Sequence, residues 1–125
     1  MRFEGIEIGR RKNVSLRWAY GDETDEPDAG ATLLRKKVTA GKAGYIYGYF
    51  LSANETNDFR ISWENGGDAQ SVRVPLVTRG ELRVVESIAI NEGIPADAGS
   101  ELQIKNVKAG SSGSVYQVGI LYAEV

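Results

Sequence analysis

An apolar period of two runs through most of this chain, and it constrains the fold more than any other feature. Val14, Leu16, Trp18 and Tyr20 alternate with Asn13, Ser15, Arg17 and Ala19. Phe59, Ile61 and Trp63 alternate with Asp58, Arg60 and Ser62, and Val72, Val74 and Leu76 with Arg73 and Pro75. Leu82, Val84, Ile88 and Ile90 share one parity, interrupted by Glu86. Successive side chains of a strand point to opposite faces, so each run describes a strand with one buried face. In the last run Tyr116, Val118, Ile120 and Tyr122 line one face, while Val115, Leu121, Ala123 and Val125 make the other partly apolar. That strand is expected to be central in its sheet, or to meet another subunit with its second face.

Turn chemistry separates the runs. Asn65-Gly66-Gly67-Asp68, Thr78-Arg79-Gly80 and Asn91-Glu92-Gly93 each fall between two of them. Ala109-Gly110-Ser111-Ser112-Gly113-Ser114 reads as a flexible loop before the last strand. Strands are expected over 2–8, 13–20, 32–39, 44–52, 57–63, 70–78, 81–90, 100–107 and 114–124. Short strands spaced by roughly ten residues, with turns between them, mark an all-β sandwich or barrel. The segment 29–40 leaves two readings open. Asp28 could cap a helix closing at Gly41, but β-branched Val38 and Thr39, followed by the turn Ala40-Gly41-Lys42, favour a strand. Pro75 inside a strand points to an edge or a bulge. With 125 residues and no compositional break, 1–125 reads as one domain.

Composition narrows the chemistry. The chain has no His and no Cys, so the usual ligands of zinc, copper, haem and iron–sulfur sites are missing. Ser–His–Asp and Cys–His arrangements are impossible for the same reason. No cofactor is expected. With 15 Lys and Arg against 17 Asp and Glu, the net charge is −2, which argues against a phosphate-backbone binder. Acids in Met1-Arg2-Phe3-Glu4-Gly5-Ile6-Glu7-Ile8 disfavour a signal peptide, and no run has the length of a membrane span. The expectation is a soluble domain of undetermined compartment, with no nucleic-acid partner.

Five places invite a functional reading. Tyr45, Tyr47 and Tyr49 fall on one parity of the strand that also carries Ile46 and Phe50. With Ile46 and Phe50 on the core face, the three tyrosines would form an outward stripe, suited to a protein interface or to stacking on sugar rings. Inward packing of the same tyrosines is the competing reading. Asp22, Asp25 and Asp28 belong to an acidic loop, 22–28, whose oxygens could hold Ca²⁺. The loop lacks the spacing of a calcium-binding helix–loop–helix, so a solvated acidic turn is the simpler assignment. Arg35, Lys36, Lys37 and Lys42 form a basic cluster that a strand would divide between two faces, as on an edge protected by lysine. Asn13-Val14-Ser15 and Asn54-Glu55-Thr56 match glycosylation sequons. Glu64, Glu86 and Glu101 are conceivable hydrolase carboxylates, but no pattern pairs them. Trp18 and Trp63, in clean alternating runs, read as core.

From about residue 32 onward the order of features resembles the single jelly-roll sandwiches of viral and phage structural proteins and of related receptor- or sugar-binding modules. The residues carrying this are Val38-Thr39-Ala40-Gly41-Lys42 leading into Tyr45-Ile46-Tyr47-Gly48-Tyr49-Phe50, then Ile94-Pro95-Ala96-Asp97-Ala98-Gly99-Ser100-Glu101-Leu102-Gln103-Ile104, and the closing Val115-Tyr116-Gln117-Val118-Gly119-Ile120-Leu121-Tyr122. The resemblance implies a jelly-roll-like antiparallel β-sandwich of about eight strands in two Greek keys, symmetric assembly, and no catalytic residues. The expected function is accordingly non-enzymatic. The chain would be an assembly protein forming a homo-oligomer, a trimer in the first instance, within a virion or phage particle as a capsid, decoration or tail-associated subunit. Other particle proteins or a surface glycan would be its further partners. The alternative is a carbohydrate-binding module using the aromatic strand face.

Overall fold

The computed structural model describes residues 7–8, 11–12, 15–78, 83–88 and 93–125, with the strands at 7–8, 11–12 and 83–88 described by backbone alone. Among these residues there is no helix. Twelve strands follow in order: β1 (Glu7–Ile8), β2 (Arg11–Lys12), β3 (Arg17–Tyr20), β4 (Thr24–Asp25), β5 (Thr32–Lys37), β6 (Gly44–Ala53), β7 (Asn57–Asn65), β8 (Asp68–Leu76), β9 (Arg83–Ile88), β10 (Ile94–Ala96), β11 (Glu101–Asn106) and β12 (Val115–Glu124). The segment with two readings is therefore a strand, and the β-branched exit through Val38 and Thr39 outweighs the possible cap at Asp28.

Every pairing is antiparallel. β1 and β2 form a two-stranded pair. In the larger sheet β12 lies beside β6, with β3 and β4 successively along its other edge, and β10 and β9 share the far edge of β6. The smaller sheet runs β5-β11-β7-β8. If β3 and β4 count as one interrupted strand, and β9 and β10 as another, each of these two sheets has four strands. Their pairing is nested: β3/β4 with β12, β5 with β11, β6 with β9/β10, and β7 with β8. The first half of the chain thus pairs with the second half in reverse order, around the β7–β8 turn at the middle.

The two sheets pack face to face as a β-sandwich. Leu51, Val118, Ile120 and Tyr116 from the larger sheet and Phe59, Ile61, Leu102 and Ile104 from the smaller one form the main core, all at most 3% exposed. Their parity is that expected from sequence for β7 and β12. β12 is central, as its two apolar faces required, and β8, which carries Pro75, is an edge strand. β5 is the other edge of that sheet, and its cationic residues sit where a strand edge needs protection from pairing with another chain. The expected turns at 78–80 and 91–93 and the N-terminal strand lie largely outside the described residues.

Candidate functional site

One inserted residue decides where the tyrosines point. Along β6 and β12, Tyr45 faces Ala123, Ile46 faces Tyr122, and Gly48 faces Leu121, so Tyr47 has no partner across the ladder. This bulge resets the alternation by one position. Ile46, Tyr49, Leu51 and Ala53 consequently face the main core, while Tyr45 and Tyr47 join Leu16, Leu121, Ala123 and Trp18 in a second cluster on the outer face. The expected stripe of three outward tyrosines is thereby split. Tyr47 is only 1% exposed, Tyr45 is half-buried, and Tyr49 has turned inward. Phe50, expected in the core, is on the outer face for the same reason. Ile46 is where the sequence pattern places it.

The outer face of the larger sheet continues into three aromatic rings. Trp18 and Tyr20 lie two residues apart on β3, with ring centroids 5.9 Å apart and planes 19° from parallel. Phe50, from the next strand but one, meets them edge-on at 6.2 and 6.0 Å. The strand between contributes Gly119, opposite both Tyr20 and Phe50. A Cβ there would lie 2.9 Å from the Phe50 ring and 3.2 Å from Tyr20, so the glycine leaves room for the rings to meet above it. Tyr20 is 62% exposed, and Trp18 and Phe50 are half-buried. The alternating pattern alone puts Trp18 in the core and gives no reason to single out Tyr20. The available signal was the second apolar face of β12: a central strand with two apolar faces implies that its neighbours carry apolar side chains on both faces too.

A second feature lies between the sheets. Ile46, Tyr49 and Ile94 from the larger sheet and Ile61, Trp63, Val72 and Val74 from the smaller one line an apolar cleft of about 330 Å³. Trp63 packs against the main core but is only half-buried, because it borders this cleft. The tip of the β7–β8 hairpin is fixed nearby. Gly66 and Gly67 turn with φ of 64° and 82°, and their N–H groups each donate to a carboxylate oxygen of Asp97 at 2.8 Å. Those two donors, Gly67 first and then Gly66, hold the Asp97 carboxyl below its usual range.

The opposite end of the sandwich is closed by polar groups that the sequence pattern did not reveal. Tyr116 donates its hydroxyl proton to Glu55 at 2.5 Å and accepts from the Asn57 amide at 2.7 Å. Ser111 donates both its backbone N–H and its hydroxyl to Glu55. Asn54 accepts from the Val115 N–H and donates to the Gly113 carbonyl. Gly110 donates to the Pro27 carbonyl at 2.7 Å, and Glu26 to that of Ser114 at 3.1 Å. The loop read as flexible is therefore tied down on both sides. Burial pushes the Tyr116 phenol up to about 12, and the neighbouring Glu55 adds to this against the Asn57 bond. Partial burial raises the Glu55 carboxyl, but bonds from Ser111 and Tyr116 outweigh it and leave the group below its usual range.

The remaining candidates are dispersed. Asp22, Asp25 and Asp28 are exposed, and no group of three or more acidic side chains that could share a metal ion exists among the described residues. Arg35 pairs with Glu101 at 2.9 Å, and Lys36 sits 5.3 Å over the Tyr122 ring, so the basic cluster is divided. Glu101 is held low first by the Gln103 amide and then by Arg35, against its desolvation. Glu64 is exposed on β7, and the side chain of Glu86 lies outside the described residues. The Asn54 sequon has its amide engaged in the backbone bonds above, and the sequon at Asn13 is also outside. No helix among the described residues is long and apolar enough to cross a membrane. A scan against models of protein families finds no match, and a search of curated proteins finds no relative.

Proposed function

We propose that the chain is a non-enzymatic assembly module that forms a closed homo-oligomer through the outer face of its larger sheet. The observation carrying this is the aromatic patch of Trp18, Tyr20 and Phe50, continuous with the buried cluster around Leu16, Tyr47 and Leu121. Aromatic groups are enriched at the buried centres of interfaces, and a contiguous apolar patch on a monomer marks a contact site. Tyr45 borders the patch and belongs to the interface in this reading; Tyr47 supports it from beneath, and Tyr49 is not part of it. The role as a particle component, whether capsid, decoration or tail-associated, rests on the resemblance in the sequence. The nested pairing of first-half with second-half strands supports a jelly-roll winding for the sandwich, though a fold alone does not carry a function.

The test is sedimentation velocity on the wild type and on Tyr20→Arg. The position is exposed, so the substitution leaves folding intact while placing a charge in the contact. An oligomeric wild type and a monomeric variant are expected. A wild type that sediments as a monomer at tens of micromolar overturns the reading.

One observation favours the carbohydrate alternative. The Trp18 and Tyr20 rings are nearly parallel neighbours on an exposed strand face, which is a surface a pyranose ring can cover. That alternative requires a monomer whose Trp18 fluorescence changes on adding oligosaccharides.

A further inference from the structure

The cleft between the sheets is a site of a different kind from the aromatic face and does not rest on the assembly reading. Protein interiors are packed to the density of organic crystals, with few voids larger than a water molecule. Here the inner faces leave about 330 Å³ unfilled between Tyr49 and Ile94 on one side and Trp63, Val72 and Val74 on the other. Val72 is 43% exposed, although it shares the inward parity of Leu76, which is 2% exposed. Burial therefore falls along one face of β8, from Leu76 to Val72 at the cleft.

Three features fix the chemistry of an occupant. No charged side chain is among the described residues of the wall, so an ion would lose its hydration without gaining a partner. Tyr49 and Trp63 bring two aromatic rings to an otherwise aliphatic wall, which favours a flat aromatic guest. Apolar cavities stay dry and take apolar guests, and one of ~150 Å³ holds benzene. Asp97 pins the hairpin that carries Trp63 and Val72, so the cleft is held open before anything binds, and little ordering cost remains.

We propose that this cleft binds a small, flat, uncharged and mainly apolar molecule of roughly a dozen non-hydrogen atoms, seated against Tyr49 and Trp63. The probe for the test is 1-aminonaphthalene, a flat, neutral compound of about a dozen non-hydrogen atoms whose emission rises in apolar surroundings. It is titrated into the wild type, Val72→Trp and Tyr20→Ser. Saturable binding is expected in the wild type, weakened by at least about tenfold in Val72→Trp, which fills the cleft from its exposed wall, and unchanged in Tyr20→Ser. Excitation of tryptophan should sensitise the probe in Trp18→Phe, which keeps Trp63, more strongly than in Trp63→Phe. Should Val72→Trp fail to fold, Val74→Met supplies a milder filling of the same space with the same expected direction. Absence of binding overturns the proposal, as does binding indifferent to both filling variants. Loss of binding in Tyr20→Ser would move the site to the outer face and overturn it too. Binding that weakens as protein concentration rises would mean that a second copy covers the cleft, and it would overturn the proposal as well.

Discussion

The two ends of the sandwich are built from the same strands and finish differently. Along β7 the inward positions run from Asn57 and Phe59, at 3% and 0% exposed, to the half-buried Trp63. Along β8 they run from Leu76 at 2% to Val72 at 43%. At the Asn57 end, Phe59 packs against Tyr116 with ring centroids 5.8 Å apart, and Glu55, Asn57 and Ser111 satisfy the polar tips above them. At the Gly66 end the Asp97 backbone N–H donates to the Glu64 carbonyl at 2.8 Å and its carboxylate holds the turn, but the side chains between the sheets leave the cleft unfilled. A sandwich needs one well-packed end for stability. The other can be left unfilled where a ligand is to enter, at a cost set by the contacts forgone.

The sharpest way to break the comparison is to truncate an aromatic at each end. Phe59→Ala should cost about 3–5 kcal/mol, because the site is fully enclosed and a cavity remains. Trp63→Ala should cost less, about 1–2 kcal/mol, since solvent enters a cleft that already exists. Urea unfolding of both variants measures the difference, and equal losses would erase the distinction between the ends.

Much of that distinction was hidden in the sequence, for physical reasons. The parity of β7, β8 and β12 was legible because none of these strands carries an inserted residue. Parity in β6 was legible only up to Ile46. The bulge at Tyr47 inserts one residue, and a period-two pattern of alternating aromatic and aliphatic side chains reads equally well on either side of it. Simple alternation therefore puts Tyr49 and Phe50 on the wrong faces. The closed end was invisible for another reason: Glu55 and Asn57 lie far along the chain from Ser111 and Tyr116, and their mutual bonds leave no local signature. A Gly- and Ser-rich loop reads as mobile until its tethers are known.

A smaller effect bears on the closed end alone. Tyr116→Phe should cost about 1 kcal/mol, the net worth of a buried hydrogen bond whose partners keep other bonds. It should also change the alkaline limb of stability. The folded phenol is raised to about 12 against an unfolded value near 10. Its contribution is therefore fully present below about pH 10 and is lost as the pH rises toward 12. Wild-type stability should fall across that window more steeply than that of Tyr116→Phe. Parallel curves would mean that the phenol titrates alike in both states. Glu55, held below its usual range, acts in the opposite direction: its stabilisation is present above the unfolded carboxyl pKa and lost as the pH falls through the lower folded value.

The smallest effects belong to the open end. Val72→Thr should change stability by no more than about 0.5 kcal/mol, as for a surface position. Asp97→Asn should speed amide exchange at Gly66 and Gly67 and leave Phe59 and Ile61 protected. Unchanged exchange at both glycines would show that the turn needs no carboxylate.

Whether copies of the same chain cover the outer aromatic face is tested most directly by light scattering with size separation, over a hundredfold dilution of the wild type. The expected result is one multiple of the chain mass that persists on dilution, consistent with an interface larger than ~1,000 Å². A mass equal to that of the single chain at every concentration would contradict self-assembly and leave Trp18, Tyr20 and Phe50 free for a different partner.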